Sequence, residues 1–194
     1  MILTPEYNQA LPLYPTVSAI PLLIHMPGQK EPKHSEAFAQ PVDYMPTILD
    51  YLSLEIPERV RGKSLKPVLE GKAENIREFS VSSPTISAKT IQIPHPTSRA
   101  SITNEEWMLI YGSQVDRVTE LEVTHMVDSM MRRVRTLEKG PIRPELYHLT
   151  DDPMCMKNVI NDHFDEAKRL HTGFVKLLEW LEMPERHLRF FREI

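Results

Sequence analysis

The sequence predicts an α/β to α+β fold: the final strand-helix unit of an α/β core, followed by a small antiparallel sheet packed by a C-terminal helix. Three observations predict it. Residues Ile20-Pro21-Leu22-Leu23-Ile24-His25-Met26 form a compact apolar run closed by Pro27-Gly28, the pattern of a strand buried on both faces of a largely parallel sheet. A helix-spaced set, Met45, Ile48, Leu49 and Leu52, follows it. Further on, short β-patterned runs end in one long amphipathic segment that carries Phe164, Ala167, Leu170, His171, Phe174, Leu177, Leu178 and Leu181. The expected division is 1–75, a remnant of the core with strand 20–26 and helix 43–53, and 76–194, an α+β subdomain.

Residues 1–19 carry Pro5, Pro12 and Pro15 without a sustained period and read as an extended lead-in that needs a neighbour. The helix from Asp43 to Ser53 has Asp43 as a cap and Pro46 in its first turn, where a missing N–H costs little. Pro57 stops it, and a second helical turn at Ser64–Glu70 ends at Gly71. Phe79–Ser83, Ser98–Thr103 and Trp107–Tyr111 read as strands, the last two joined as a hairpin by a tight turn at Asn104-Glu105. Val115–Glu138 reads as a helix and Glu145–Leu149 as a strand. Asp162 is placed to cap the final helix, which should pack on the hairpin sheet.

Composition narrows the function classes. The chain has 194 residues, 41% of them hydrophobic, enough to bury a core. A formal charge of -4, with basic and acidic residues interspersed, gives no nucleic-acid footprint. Cys155 is the single cysteine, which excludes an intrachain disulfide and a multi-cysteine zinc site. No apolar run reaches the roughly 20 residues needed to span a bilayer, and the start lacks the basic and apolar regions of a signal peptide. Those features lean toward a soluble, cytoplasmic protein and leave the compartment open. Seventeen prolines against 6 glycines point to short elements joined by extended connections.

Three stretches carry a resemblance. They are Ile20–Gly28; Gln40–Lys72, with its Val42-Asp43-x-x-Pro46-Thr47-x-x-Asp50 helix and Gly62-x-Ser64-Leu65-x-Pro67-x-Leu69 corner; and Glu145-Leu146-Tyr147-His148-Leu149 running through Asp152-Pro153 to Ile160. In this order they resemble the closing section of the formylglycine-dependent sulfatases of the alkaline-phosphatase superfamily. His148 stands where that family often has Asp, and Met154-Cys155-Met156 departs from its usual pattern. The resemblance implies a sulfuric ester hydrolase whose complete form uses a formylglycine hydrate as nucleophile and a calcium-like divalent cation.

The residues for that chemistry are not in this sequence. The family's Cys/Ser-x-Pro-x-Arg motif is absent: Cys155 is followed by Met156 and Lys157, and Ser82-Ser83-Pro84-Thr85-Ile86 places Ile where Arg is required. Only Leu13–Ala19 precedes the strand pattern, where the family carries an acidic pair and a lysine. Asp151-Asp152 before Pro153 reads as a turn, since two carboxylates cannot satisfy a cation that wants about six or more oxygens. No catalytic, cofactor or metal residue is therefore assigned to this chain. His25 and His171 read as structural histidines. Met126, Met130 and Met131 read as helix packing, and Arg132, Arg133 and Arg135 as a solvated helix end. His95, between two prolines, and Arg99 are the candidates for a substrate rim that meets a sulfate ester. The partner expected for the segment is the family's N-terminal catalytic region, or a second copy. A stand-alone interaction module derived from a sulfatase, and a piece of a related phosphoester hydrolase, are the competing readings.

Overall fold

In the computed structural model, which describes residues 14–83, 99–112 and 144–194, four strands run in the order β1 (Ser80–Ser82), β2 (Arg99–Thr103), β3 (Trp107–Gly112) and β4 (Glu145–His148). β2 and β3 pair antiparallel with Arg99 opposite Gly112 and Thr103 opposite Met108; β3 and β4 pair antiparallel with Trp107 opposite His148. The hairpin loop is set by Asn104, whose side-chain oxygen accepts the N–H of Glu106 at 3.1 Å and of Trp107 at 2.7 Å. These bonds are the local turn chemistry expected of Asn.

Every residue of β3 is buried. Its two faces fill different layers, as a period of two demands. Met108 and Ile110 pack with Tyr147 and Cys155, edged by Leu149 and by Tyr14, the residue before the short helix α1 (Pro15–Ser18). Tyr111 points the other way, onto Phe174 of the helix α4 (Phe164–Trp180). That helix buries Ala167, Leu170, His171, Phe174 and Leu178 and lies on β2 and β3. The long C-terminal helix therefore packs on the hairpin sheet. Its start differs from the expectation: His163, not Asp162, occupies the cap position, and no side chain caps the helix. Its end is closed by Glu182 at φ 58° and the Met183 N–H on the Leu178 carbonyl at 3.0 Å.

The segment after Pro184 turns back as the helix α5 (Glu185–Leu188) and a 3₁₀ turn, Arg189–Phe191. Phe191 is buried, against Tyr111 and Phe174. Two side chains hold the segment's backbone. His171 Nε2 lies 2.8 Å from the Phe191 carbonyl, and the Tyr111 hydroxyl donates to the Glu193 carbonyl. Burial pushes the His171 imidazole below its ordinary pKa, partly opposed by the Phe191 carbonyl, and burial followed by nearby Arg186 lowers His187. Both rings are thus favoured neutral by folding. Their contribution is present above the unfolded value, 6.5, and is lost as pH falls below it toward the folded values. The urea midpoint of the purified chain is expected to decline between about pH 7 and pH 5, and His171→Gln to flatten part of that decline. An unchanged slope in the variant would refute the assignment to His171.

Residues Ile20–Ser80 form a separate compact unit. A 3₁₀ turn, Pro41–Asp43, runs into the helix α2 (Tyr44–Tyr51), and after a corner comes the short helix α3 (Lys66–Leu69), closed by Gly71 at φ 73°. The strand expected over 20–26 is absent. That run forms no strand, Ile20 is 78% and Leu23 91% exposed, and His25 is exposed rather than a buried structural histidine. The reason is physical. A strand apolar on both faces exists only between hydrogen-bonded neighbours, and among the described residues no strand pairs with it. The helix expected over Val115–Glu138, with its Met and Arg clusters, lies outside the described residues. Among the described residues no helix is long and apolar enough to cross a membrane.

Candidate functional site

Asp43, Thr47 and Asp50 are spaced four and three apart and so share one face of α2. All three bond to the corner 62–66. Asp43 is fully buried, with one carboxylate oxygen accepting the Lys63 N–H at 2.9 Å and the Arg77 guanidinium. The other accepts the Gln40 N–H at 2.7 Å, completing a reciprocal capping box around the 3₁₀ turn. Asp43 therefore caps that turn rather than α2 itself. Thr47 Oγ1 accepts the Leu65 N–H at 2.9 Å and donates to the Asp43 carbonyl at 2.5 Å. Asp50 accepts the Ser64 hydroxyl at 2.6 Å and the Lys66 ammonium at 3.3 Å. The Ser64 hydroxyl, with Lys66 behind it, holds the Asp50 carboxyl below its usual value. Gly62 fits because a Cβ there would meet the Val42 carbonyl oxygen at 1.8 Å. The most conspicuous sequence motif is thus a polar staple, with its oxygens spent on the protein's own donors.

A second cluster gathers on β2 and β4. Arg99 is held by Glu145 at 2.8 Å, its side chain only 10% exposed. Glu145 also accepts the Tyr14 hydroxyl at 2.8 Å and the Tyr147 hydroxyl at 2.7 Å. Burial pushes the Glu145 carboxyl up, but the Tyr147 hydroxyl and the Arg99 guanidinium outweigh it and keep it below its usual value. Burial raises both tyrosines. No proton sits near neutrality in this group, which suits positioning rather than acid-base work. His95 lies outside the described residues, so nothing in the structure brings it together with Arg99. Arg77 and Glu145 were not foreseen: Arg77 pairs with a residue 34 positions away, and no local pattern announces such a pair.

The remaining sequence features resolve into scaffold. Asp152 accepts the N–H groups of Met156 at 2.9 Å and Lys157 at 2.8 Å, and Asp151 binds His148 Nδ1 at 2.7 Å. The pair forms a turn, as expected. Cys155 is buried beside Met108, and burial pushes its thiol up to about 11, so it carries no thiolate at neutral pH.

The family model described as N-sulphoglucosamine sulphohydrolase, C-terminal, matches residues 11–82, the stretch that contains the staple. Over residues 11–82 this chain is similar to the C-terminal region of sulfatases. The N-acetylglucosamine-6-O-sulfatase of Bacteroides thetaiotaomicron is 38% identical over 63 residues, which are 32% of this chain and 11% of that protein. Arylsulfatase K of Xenopus laevis is 26% identical over 171 residues, 87% of this chain and 27% of the relative. Among solved structures, BT4656 in complex with its substrate D-glucosamine-2-N,6-O-disulfate shares the fold. It has a TM-score of 0.53 at 19% identity over 82% of this chain and 27% of that one. The chain spans about a quarter or less of the length of the proteins it matches.

Sulfatases imply a metal and a formylglycine in the complete enzyme. The described residues of this region do not fit either group. Among them no three His, Cys, Asp or Glu side chains come together to hold a metal ion. The staple carboxylates already accept from the protein's own donors, and the sequence has no Cys/Ser-x-Pro-x-Arg motif.

Proposed function

We propose that this region belongs to a sulfuric ester hydrolase and serves it as scaffold, shaping and closing a pocket whose nucleophile and cation ligands are supplied elsewhere. The observation that carries the reading is the staple: Asp43, Thr47 and Asp50 rigidly hold the corner 62–66, inside the stretch that matches the family. Residues 1–75 then belong with the α/β core and 76–194 with a smaller subdomain. In that setting His95 and Arg99 face the sulfate ester at the rim, with Glu145 fixing the Arg99 guanidinium. The names of the relatives favour a sulfated amino sugar as substrate. The catalytic cation and formylglycine belong to the complete enzyme.

The purified chain is expected to hydrolyse neither an aryl sulfate nor a phosphate monoester, because its sequence supplies no nucleophile motif. Turnover that survives repurification and falls on cation removal would overturn the scaffold reading. An in-frame Cys/Ser-x-Pro-x-Arg motif upstream in the DNA would exclude a stand-alone module, and a Thr or Ser nucleophile there would point to phosphoester chemistry.

A further inference from the structure

The segment after Pro184 lies against α4 and β3 as a strap. The chain leaves α4 through Glu182, at φ 58°, and the extended Pro184, and then buries Leu188 and Phe191. Phe191 meets Phe174 edge-on at 6.0 Å between ring centroids and Tyr111 at 6.4 Å. From below, His171 Nε2 and the Tyr111 hydroxyl hold the carbonyls of Phe191 and Glu193. A second histidine, His187, lies on the strap itself. It is only 7% exposed, and its buried Nδ1 meets no hydrogen-bond partner among the described residues.

We infer that residues 184–194 form an acid-released strap: protonation of His171 and His187 swings the segment about Glu182–Pro184 off the Tyr111–Phe174 face, while the sheet and α4 stay folded. A neutral imidazole donates from one nitrogen, but an imidazolium must donate from both. His187 Nδ1 faces no acceptor, so the charged ring is satisfied only where water reaches it, away from the core. His171 has its Nε2 on the Phe191 carbonyl and its ring 4.7 Å from that of Tyr111. The elements beneath offer no carboxylate to keep an imidazolium in place: β3 carries no charged residue, and the one charged residue of β2, Arg99, is bound to Glu145. Burial favours the neutral form of both rings, and Arg186 adds to this at His187. Opening is therefore favoured as pH falls below their ordinary value of 6.5. The strap's other charges do not report on this window. Arg189 stacks on Phe190, and Arg192 bridges Glu179 at 3.0 Å and Glu185 at 2.8 Å, holding the Glu185 carboxyl below its usual value. These bridges are exposed and hold the strap only weakly.

The test is amide exchange of the full 194-residue chain at about pH 7 and about pH 5, corrected for the intrinsic rates and repeated in low urea. Opening of the strap alone exposes little surface, so exchange by that route barely responds to urea, whereas exchange through global unfolding rises steeply with it. The His187 and Leu188 amides donate to the Pro184 carbonyl at 2.8 and 3.0 Å. Both are expected to exchange by the urea-insensitive route and to lose about tenfold or more of their protection between the two pH values. The β3 amides should follow the urea-sensitive route at both. His171→Gln combined with His187→Gln should abolish the pH response of the strap amides, whatever it does to their protection near neutrality. His187→Gln alone should reduce the response by about threefold, which keeps the test open should the double variant not fold. Arg192→Gln should loosen the strap equally at both pH values and leave the response intact. Four results would each overturn the inference: strap amides that share the urea dependence and protection of β3, protection equal at the two pH values, a response undiminished in the histidine variants, or one that disappears in Arg192→Gln.

Discussion

Gly62→Ala is expected to unfold the corner of the Ile20–Ser80 unit, with a loss of about 4 kcal/mol or more. The Cβ it adds would lie 1.8 Å from the Val42 carbonyl oxygen and 2.4 Å from its carbon, both backbone atoms. No side-chain rotation relieves such a contact. The Val42 peptide is itself pinned, because the next residue, Asp43, is held by Gln40, Lys63 and Arg77. Moving the corner away instead breaks the Lys63 and Leu65 N–H bonds to Asp43 and Thr47. Gly71→Ala supplies the comparison, since its Cβ would meet nothing within 4 Å and only the φ of 73° is penalised, a cost of about 1–2 kcal/mol. Urea unfolding followed through exchange of the Leu65 amide should rank the two variants in that order. A Gly62→Ala midpoint within about 0.5 kcal/mol of the parent would show that the close approach can relax.

Where periodicity and turn chemistry are local, the sequence was a sufficient guide. The final helix shows its buried face in Ala167, Leu170, Phe174 and Leu178, and the hairpin shows its turn in Asn104. The helix after Asp43 was legible for the same reason, although Asp43 turned out to cap the preceding turn through Gln40. Ile20–Met26 marks the limit of that reading. Its pattern describes an environment with strands on either side, and a pattern that specifies neighbours cannot create them. The candidate site divides in the same way. The motif residues Asp43, Gly62 and Ser64 were visible as a family pattern, but their roles were not. Their partner Arg77 lies far along the chain and carries no local mark. Likewise Arg99 was legible only as a candidate for a substrate rim, and its pairing with Glu145, 46 positions away, carries no local mark.

The staple explains why scaffold, rather than chemistry, is what identifies this region. A catalytic carboxylate must leave a lone pair or a proton free for the substrate. Asp43 accepts from three donors and Asp50 from two side chains. Their work is to join a helix, a corner and the segment before β1 into one unit.

Asp43→Ala should therefore destabilise by about 3–5 kcal/mol, the cost of leaving a mostly buried cation without its partner. The Arg77 side chain is 13% exposed and Asp43 fully buried, so water cannot take the carboxylate's place cheaply. The Gln40 and Lys63 N–H groups lose their acceptor in the same step. Removing the cation as well should recover part of the loss. Asp43→Ala combined with Arg77→Leu is expected to be more stable than Asp43→Ala alone by about 1–2 kcal/mol, because no unpaired charge remains. A cycle of the two single variants and the double variant, read as urea midpoints, gives the coupling directly. Strict additivity would mean that the Arg77 contact adds nothing beyond the two backbone N–H bonds, and Asp43 would then hold the corner through backbone hydrogen bonds alone.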